Sequence, residues 1–489
     1  MYCHQLYYNK MEFERLNIMI YRFRGINRVL NDGELKNNYF YFTSPIQQND
    51  PLEGYVNCFW KGDKIAWLGL FKSYIWQLYM VLSNVPIYGE DINGLKDLAF
   101  WESEIDFKGL PILETRREVE CEFVEFELIG LLAEELGNLD CELSIHQVQQ
   151  ILLFIHIDAL KFVNKKVAEK FNITLLNIVD SKDYFDDSNI QRVQNFMKML
   201  TNHSLIDPLA KGVEKMIESN NMIKLIDFKE GMNTYNTKMV TFLYSEFAFV
   251  YMKRIKQLPF TNWYCVCFNE NVSNPALWGY YAEGHQGICL VFKKNVNEYF
   301  ELEAIAKEDI ERTPKLKLER VKYGVDPVKI DFFSGLGRLW GDERRHWFNH
   351  NDEWSSVWEK IIREEKEWRE NYWKNSRERL LRKSFAWKDE KEVRIALEDT
   401  WYIHEQHEFR KFKYNFNDLD GIIFGISTSQ DNKMEIIKII KEKCIIENRT
   451  DFCFYDAKYD DTKNQIIYEL NVFLTSTIKE AVQNAISLL

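Results

Sequence analysis

The stretch SFAWKDEKEVRIAL, residues 384–397, sets carboxylates and a guanidinium at alternate positions. Written as a strand, whose side chains alternate between two faces, it places Val393, Ile395 and Leu397 on one face and Glu390, Glu392 and Arg394 on the other. Carboxylates about 7 Å apart along such a face can move a proton or stand against developing positive charge. The same pattern also describes a solvated face with a weak ion pair. Arg22 and Arg24 in IMIYRFRGI carry planar forks that suit anions, while alternation of Arg22 with Tyr21 and Phe23 equally fits an arginine on a strand surface. Trp278 and Tyr281 are three apart in NPALWGYYAEG and share a helical face, as pocket wall or as core. In Asn49-Asp50-Pro51 the Asx side chain caps its own turn, and Asp50 is also able to pair with an arginine.

Other arrangements are weaker. His346 and His350 are four apart, and His404 and His407 three apart, but neither pair has the further Cys or His that a zinc site needs, so no metal is expected. His285 sits in a loop with Glu283, Gly284 and Gln286 and reads as a surface histidine. There is no P-loop. The nine cysteines are scattered without CxxC spacing, which fits small buried hydrophobes in a reducing compartment. Cys265 and Cys267 share a strand face, so no disulfide is expected between them.

The elements that must position these residues follow from the hydrophobic periodicity. Strand patterns occur at IMIYRFRGI, YFYFTSP, NWYCVCFNE, GICLVFKK and DLDGIIFGISTS, and a hairpin at CFYDAKYDDTKNQIIYEL. Between them, residues 60–258 repeat apolar side chains every three to four positions, as amphipathic helices do. The expected fold class is therefore α+β, a mixed or antiparallel sheet assembled from distant segments and carrying a large helical insertion. The core falls in three pieces, 1–59, 259–295 and 383–475, separated by the helical insertion 60–258 and a charged helical insertion 296–382, with a terminal helix at 476–489. Within residues 351–383, Glu365 and Arg369 exemplify pairs four apart, and Trp354, Trp358, Ile361, Trp368 and Tyr372 form an apolar stripe for the core or a partner subunit.

With 489 residues, 46% of them hydrophobic, the chain can bury a large core, and a net charge of -12 disfavours nucleic acid as a partner. Residues 65–89 are long enough to span a bilayer, yet Lys72, Ser73 and Gln77 interrupt them, so a buried helix is expected and a membrane is not. The N-terminus lacks the order of a signal peptide, and a cytoplasmic location is expected.

Taken in order, YRFR (21–24), YFTSP with NDP (49–51), ALWGYYAEGHQGICLVF (276–292), KSFAWKDEKEVRI (383–395) and GIIFGI (421–426) resemble a widespread bacterial family known only as a domain of unknown function. Its members share a Tyr-Arg-Phe start, an Asn-Asp-Pro turn, a Trp-x-x-Tyr helix and a Trp…Glu-x-Glu-x-Arg strand. The layout is also similar, more distantly, to the ADP-ribosyltransferase superfamily. That resemblance implies NAD as substrate, in an ADP-ribosyltransferase-like or NAD glycohydrolase effector such as a bacterial toxin or anti-phage defence protein. Glu392 would then hold the ribose hydroxyls and oppose the oxocarbenium-like charge, and Glu390 would orient or deprotonate the acceptor. Arg22 or Arg24 would bind the phosphates of this small nucleotide ligand, with Arg394 beside the carboxylates, and Trp278 and Tyr281 would wall the pocket. The wall on the nicotinamide side is ambiguous between Thr43-Ser44 and Tyr281.

Two rivals stand beside this reading. One is a non-enzymatic sensor or interaction protein that binds a protein partner, or itself, through helices in 60–258 and 351–383. The other is a metal-dependent nuclease or phosphohydrolase built on Asp50, Glu390 and Glu392, which would have to sit within about 4 to 6 Å of one ion.

Overall fold

The structure is a computed structural model, which describes residues 19–88, 111–172, 188–202, 242–294, 298–305, 314–339, 341–399 and 403–487, and a few isolated positions between them. The chain divides into two compact units, one made of Met1–Tyr55, Thr261–Pro327 and Ser376–Leu489, the other of Val56–Phe260 and Val328–Asn375.

The first unit is built on a nine-stranded sheet. In chain order its strands are β1 (Met19–Arg24), β2 (Asn262–Asn269), β3 (Ile288–Lys293), β4 (Tyr299–Glu301), β5 (Lys315–Arg320), β6 (Glu392–Asp399), β7 (Leu419–Phe424), β8 (Cys453–Asp460) and β9 (Gln465–Leu470). In space they run β9-β8-β7-β3-β1-β2-β6-β5-β4. All neighbours are antiparallel except β7 and β8. This is the α+β fold, with a mixed sheet drawn from distant segments, that the periodicity predicts. Residues 296–382, expected as a charged helical insertion, instead supply β4 and β5 to this sheet before the chain turns helical.

Both faces of the sheet are covered, which explains why β1 is buried on either side of its alternation. On one face Ile20, Val266, Phe268, Leu290, Phe292, Ile395 and Ile422 pack with Ile436 and Ile440 of helix Gln430–Ile446 and Ile478 and Val482 of helix Val472–Ser487. On the other, Tyr21, Phe23, Cys289 and Val291 pack with Leu277 and Trp278 of helix Pro275–Tyr281. That helix starts where it does because the Asn274 side chain accepts from the Ala276 N–H at 3.0 Å and Pro275 needs no donor partner at the first helical position. In β7 the pairing register shifts between Leu419 and Gly421, where a Cβ would meet the Cys453 carbonyl oxygen at 2.5 Å.

The second unit packs helices Lys64–Tyr88, Pro111–Val124, Glu127–Gly137, Ile145–Phe171, Asn189–Leu200 and Phe247–Ile255 around a core that includes Trp67, Phe71, Ile155 and Phe247. Lys64–Asn84 is long and apolar enough to cross a bilayer, but 89% of that window is buried inside the unit, as in the core of a folded domain. Its polar interruptions are buried as well, and the Lys72 ammonium donates to the Asn349 carbonyl at 2.8 Å. The stripe expected along one charged helix is divided between Ser356–Arg363 and Glu365–Leu380, with Trp354 on a short strand before them. Much of it packs within the unit: Ile361 is buried, Trp358 stacks on Phe348, and the Trp368 indole N–H donates to the Ser334 carbonyl.

Candidate functional site

The segment 384–397 is not one strand. Phe385–Glu390 forms a 3-10 helix, Lys391 takes a left-handed conformation (φ 46°), and β6 starts only at Glu392. The two carboxylates nevertheless meet, through a residue given no role by the sequence pattern. Lys383 is fixed by a short parallel pairing of Arg382–Lys383 with Lys322–Tyr323, and its Nζ donates to Glu390 Oε2 at 2.6 Å and to Glu392 Oε2 at 2.8 Å.

From there a chain of alternating charge runs inward. Arg394, with no exposed surface, donates from Nε to Glu392 Oε1 at 2.9 Å and from Nη1 to the Leu380 carbonyl at 2.6 Å, and it also pairs with Glu53. The Asn-Asp-Pro turn delivers Glu53: Asp50 accepts the Leu52 N–H at 3.0 Å on one oxygen and the Ser384 N–H at 2.7 Å on the other. At the outer end Tyr281 donates its hydroxyl to Glu390 Oε1 at 2.7 Å, and the Lys383 ammonium lies 5.0 Å from the Trp387 ring centre. The Glu392 N–H donates to the Tyr323 hydroxyl at 2.7 Å, and the Asn269 side chain donates to the Glu390 carbonyl at 3.0 Å.

Three carboxylates, Glu53, Glu390 and Glu392, thus share two cations, Lys383 and Arg394, in a nearly dry place. Burial alone would raise the Glu392 carboxyl, but Arg394 and Lys383 outweigh it and bring it down to about 2. Glu390 has only Lys383 and the Tyr281 hydroxyl against its burial, and its carboxyl is raised. Burial likewise raises Glu53 despite Arg394. Neighbouring carboxyls pushed in opposite directions are the pattern by which one site holds both an ionised group and a proton donor.

The remaining candidates separate. Across the sheet Tyr21 lies opposite Asn269 and Asn269 opposite Glu392, so Tyr21 shares the face of Glu392 and Arg22 points the other way. There Arg22 is buried between the Phe40 and Phe268 rings and pairs with Glu34 at 3.3 Å; Arg24 pairs with the same carboxylate at 3.0 Å. Neither arginine joins the cluster that they were expected to complete. Trp278 is on the right face but is fully buried, donating its indole N–H to the Val272 carbonyl at 2.8 Å, and belongs to the core. Of the two candidates for the nicotinamide-side wall, Tyr281 touches Glu390, whereas Thr43 donates to the Cys265 carbonyl at 3.1 Å.

For a metal, the point between Glu390 and Glu392 is filled by the Lys383 ammonium, and both Asp50 oxygens hold backbone N–H groups. Among the described residues no three His, Cys, Asp or Glu side chains converge on one point. His346 lies 2.9 Å from Glu120 and His350 ends a short strand, paired opposite Glu353, while His404 faces Asp399 and His407 faces Tyr41. The Cys265 and Cys267 thiols are hydrogen-bonded at 3.7 Å, with no disulfide between them.

Comparison of the chain with protein-family models, with curated proteins and with solved structures gives no match.

Proposed function

We propose that the sheet-bearing unit is an enzyme that cleaves a glycosidic bond to ribose in a small nucleotide, as an ADP-ribosyltransferase-like protein or NAD glycohydrolase does. The observation that carries this reading is the opposed pair on Lys383: Glu392 and Glu390 stand 2.8 and 2.6 Å from one ammonium, with the Glu392 carboxyl lowered by its two cations and the Glu390 carboxyl raised by burial. Glu390 is the catalytic group in this scheme, a proton donor or acceptor whose carboxyl is oriented by Tyr281 and Lys383. Glu392 is a positioning residue, because its oxygens are committed to Arg394 and Lys383 and it acts by holding the ammonium against Glu390. The roles differ here from those implied by the resemblance, in which Glu392 contacts the ribose. Trp387 and the exposed Tyr280, with ring centres 6.1 Å apart, flank the cluster and offer aromatic surface to a departing base. Arg22 and Arg24 have no part in holding phosphate.

The test is incubation of the full chain with NAD, followed by mass spectrometry for free nicotinamide, ADP-ribose and modified protein, beside the Glu390→Gln variant. Nicotinamide release by the parent and its loss in the variant support the reading; NAD left intact by the parent overturns it.

One observation favours a second reading. The charged groups of the cluster are all paired with one another, and two cavities, of about 750 and 640 Å3, lie in the helical unit. On that reading the charge chain is architecture, and the protein works as a sensor or interaction protein through its helical unit.

A further inference from the structure

The innermost carboxylate of the charge chain is supplied by a turn. Glu392 opens β6 and Glu390 ends the 3-10 helix before it, whereas Glu53 sits in a turn at residues 51–54. This turn is built inside out. Leu52 and Tyr55 are 56% and 50% exposed, while the Glu53 side chain keeps 1% of its surface and reaches the Arg394 guanidinium, which has none. Burial favours the opposite choice, apolar groups inside and a carboxylate in water, so what draws the turn inward is the pairing of Glu53 with Arg394.

The carboxylate is incompletely seated there. Glu53 Oε2 is buried without a hydrogen-bond partner among the described residues, and burial raises the carboxyl despite Arg394. Three carboxylates share two cations, so one is in surplus, and Glu53 is the only one of the three outside the segment that carries Lys383 and Arg394. Asp50 and Gly54 bracket it. Asp50 ties the chain to the Ser384 N–H at 2.7 Å, and Gly54, left-handed at φ 70°, supplies wide backbone freedom just where a hinge is needed.

The nucleotide chemistry argued above lacks a holder for phosphate, because Arg22 and Arg24 are committed to Glu34. Arg394 has the fork for it. Glu392 Oε1 takes Nε and Nη2 at 2.9 and 2.6 Å, which leaves Nη1 to the Leu380 carbonyl and to Glu53. We propose that Arg394 is the phosphate-binding group of this site, and that the turn carrying Glu53 is a lid whose carboxylate keeps the phosphate's place until a ligand arrives. The phosphate then accepts from Nη1 as the turn swings outward. One anion replaces another, so the buried guanidinium is never left bare. The inference rests on the reading of this site as one for a nucleotide.

The experiment is isothermal titration of the full chain with ADP-ribose, beside Glu53→Gln, which keeps the shape and drops the competing charge. Binding about tenfold tighter in the variant is expected, because a site that is mostly closed binds with an affinity reduced by its open fraction. Adenosine, which has no phosphate, is expected to bind the two proteins alike. In the parent itself, saturating ADP-ribose should speed chymotrypsin cleavage after Tyr55 several-fold relative to cleavage after Tyr459, exposed on the β8–β9 hairpin. This arm does not depend on the folding of the variant. Absent or equal ADP-ribose affinity in the two proteins, an equal gain for adenosine, or cleavage after Tyr55 unchanged or slowed by ADP-ribose each overturns the inference. The glycosidic reading fails by a different result, NAD left intact by the parent.

Discussion

The Lys383 ammonium and the Glu392 carboxylate meet at 2.8 Å, and each side chain keeps only 3% of its surface exposed. A pair this dry is held by mutual neutralisation and would be costly to break from one side, because the remaining charge has no water to turn to. The same ammonium also reaches Glu390, so a single lysine ties the 3-10 turn before β6 to the first residue of that strand.

Replacement of Lys383 by methionine, which keeps most of the aliphatic volume, should therefore destabilise the sheet-bearing unit by about 3–5 kcal/mol. Urea unfolding followed by fluorescence measures this. A loss below about 1 kcal/mol would place the lysine among weak surface pairs, in conflict with its burial.

The two carboxyls should leave opposite marks on the pH dependence of stability. Glu392 is depressed from 4.5 to about 2 in the folded chain. Its contribution is present above the unfolded value and is lost as pH falls from about 4.5 towards 2, at most about 3 kcal/mol. Glu390 is raised, so its contribution is present below its unfolded value and is lost as pH rises through the folded value. Relative to the parent, Glu392→Gln should lose least stability at the acid end, and Glu390→Gln should gain as pH rises above the unfolded carboxyl value. Melting temperatures of the three proteins from about pH 2 upwards through neutrality decide it, and slopes of the same sign in both variants would contradict the assignment.

Arg22 should matter for folding and not for turnover. Its guanidinium is buried beside Glu34 on the face away from Glu392, with its Nη1 donating to the Cys267 carbonyl at 3.1 Å. Arg22→Lys keeps the charge but loses the fork, and a stability loss of about 1–3 kcal/mol is expected. If the chain releases nicotinamide from NAD, the variant should do so at a rate within about twofold of the parent at a temperature where both are folded. A drop of a hundredfold with intact folding would return Arg22 to the site.

How far the site was legible depends on the kind of signal each residue leaves. Period-two alternation located β1, β2 and β6 and so the face that Glu392 and Arg394 share, because alternation is local. Which face of β1 meets which face of β6 depends on β2 lying between them, a register that no local pattern encodes, and Arg22 was misplaced for that reason. Glu390 lies outside the strand because Lys391 is left-handed, which a lysine rarely adopts and a sequence does not announce. Lys383 and Glu53 were missed as partners since an ion pair between segments has no periodicity. The one available hint was that Glu53 follows the Asn-Asp-Pro turn that ties itself to Ser384, next to Lys383.

In the helical unit, His156 supplies the last prediction. Its Nε2 lies 2.6 Å from the Leu243 carbonyl, so that nitrogen carries the proton, and its Nδ1 accepts from the Tyr74 hydroxyl at 2.7 Å. Only the neutral ring can do both, and burial lowers its pKa from 6.5 to about 4. Below pH 6.5 the unfolded chain takes up a proton that the folded chain refuses. Stability is therefore full above about 6.5 and falls as pH drops towards 4, by at most about 3 kcal/mol. His156→Gln, whose amide can donate to one partner and accept from the other, should be less stable at pH 8 through poorer packing. It should lose little further stability between pH 7 and 5, where the parent declines. Urea unfolding at the two pH values measures the difference, and parallel declines in parent and variant would assign the acid sensitivity to another group.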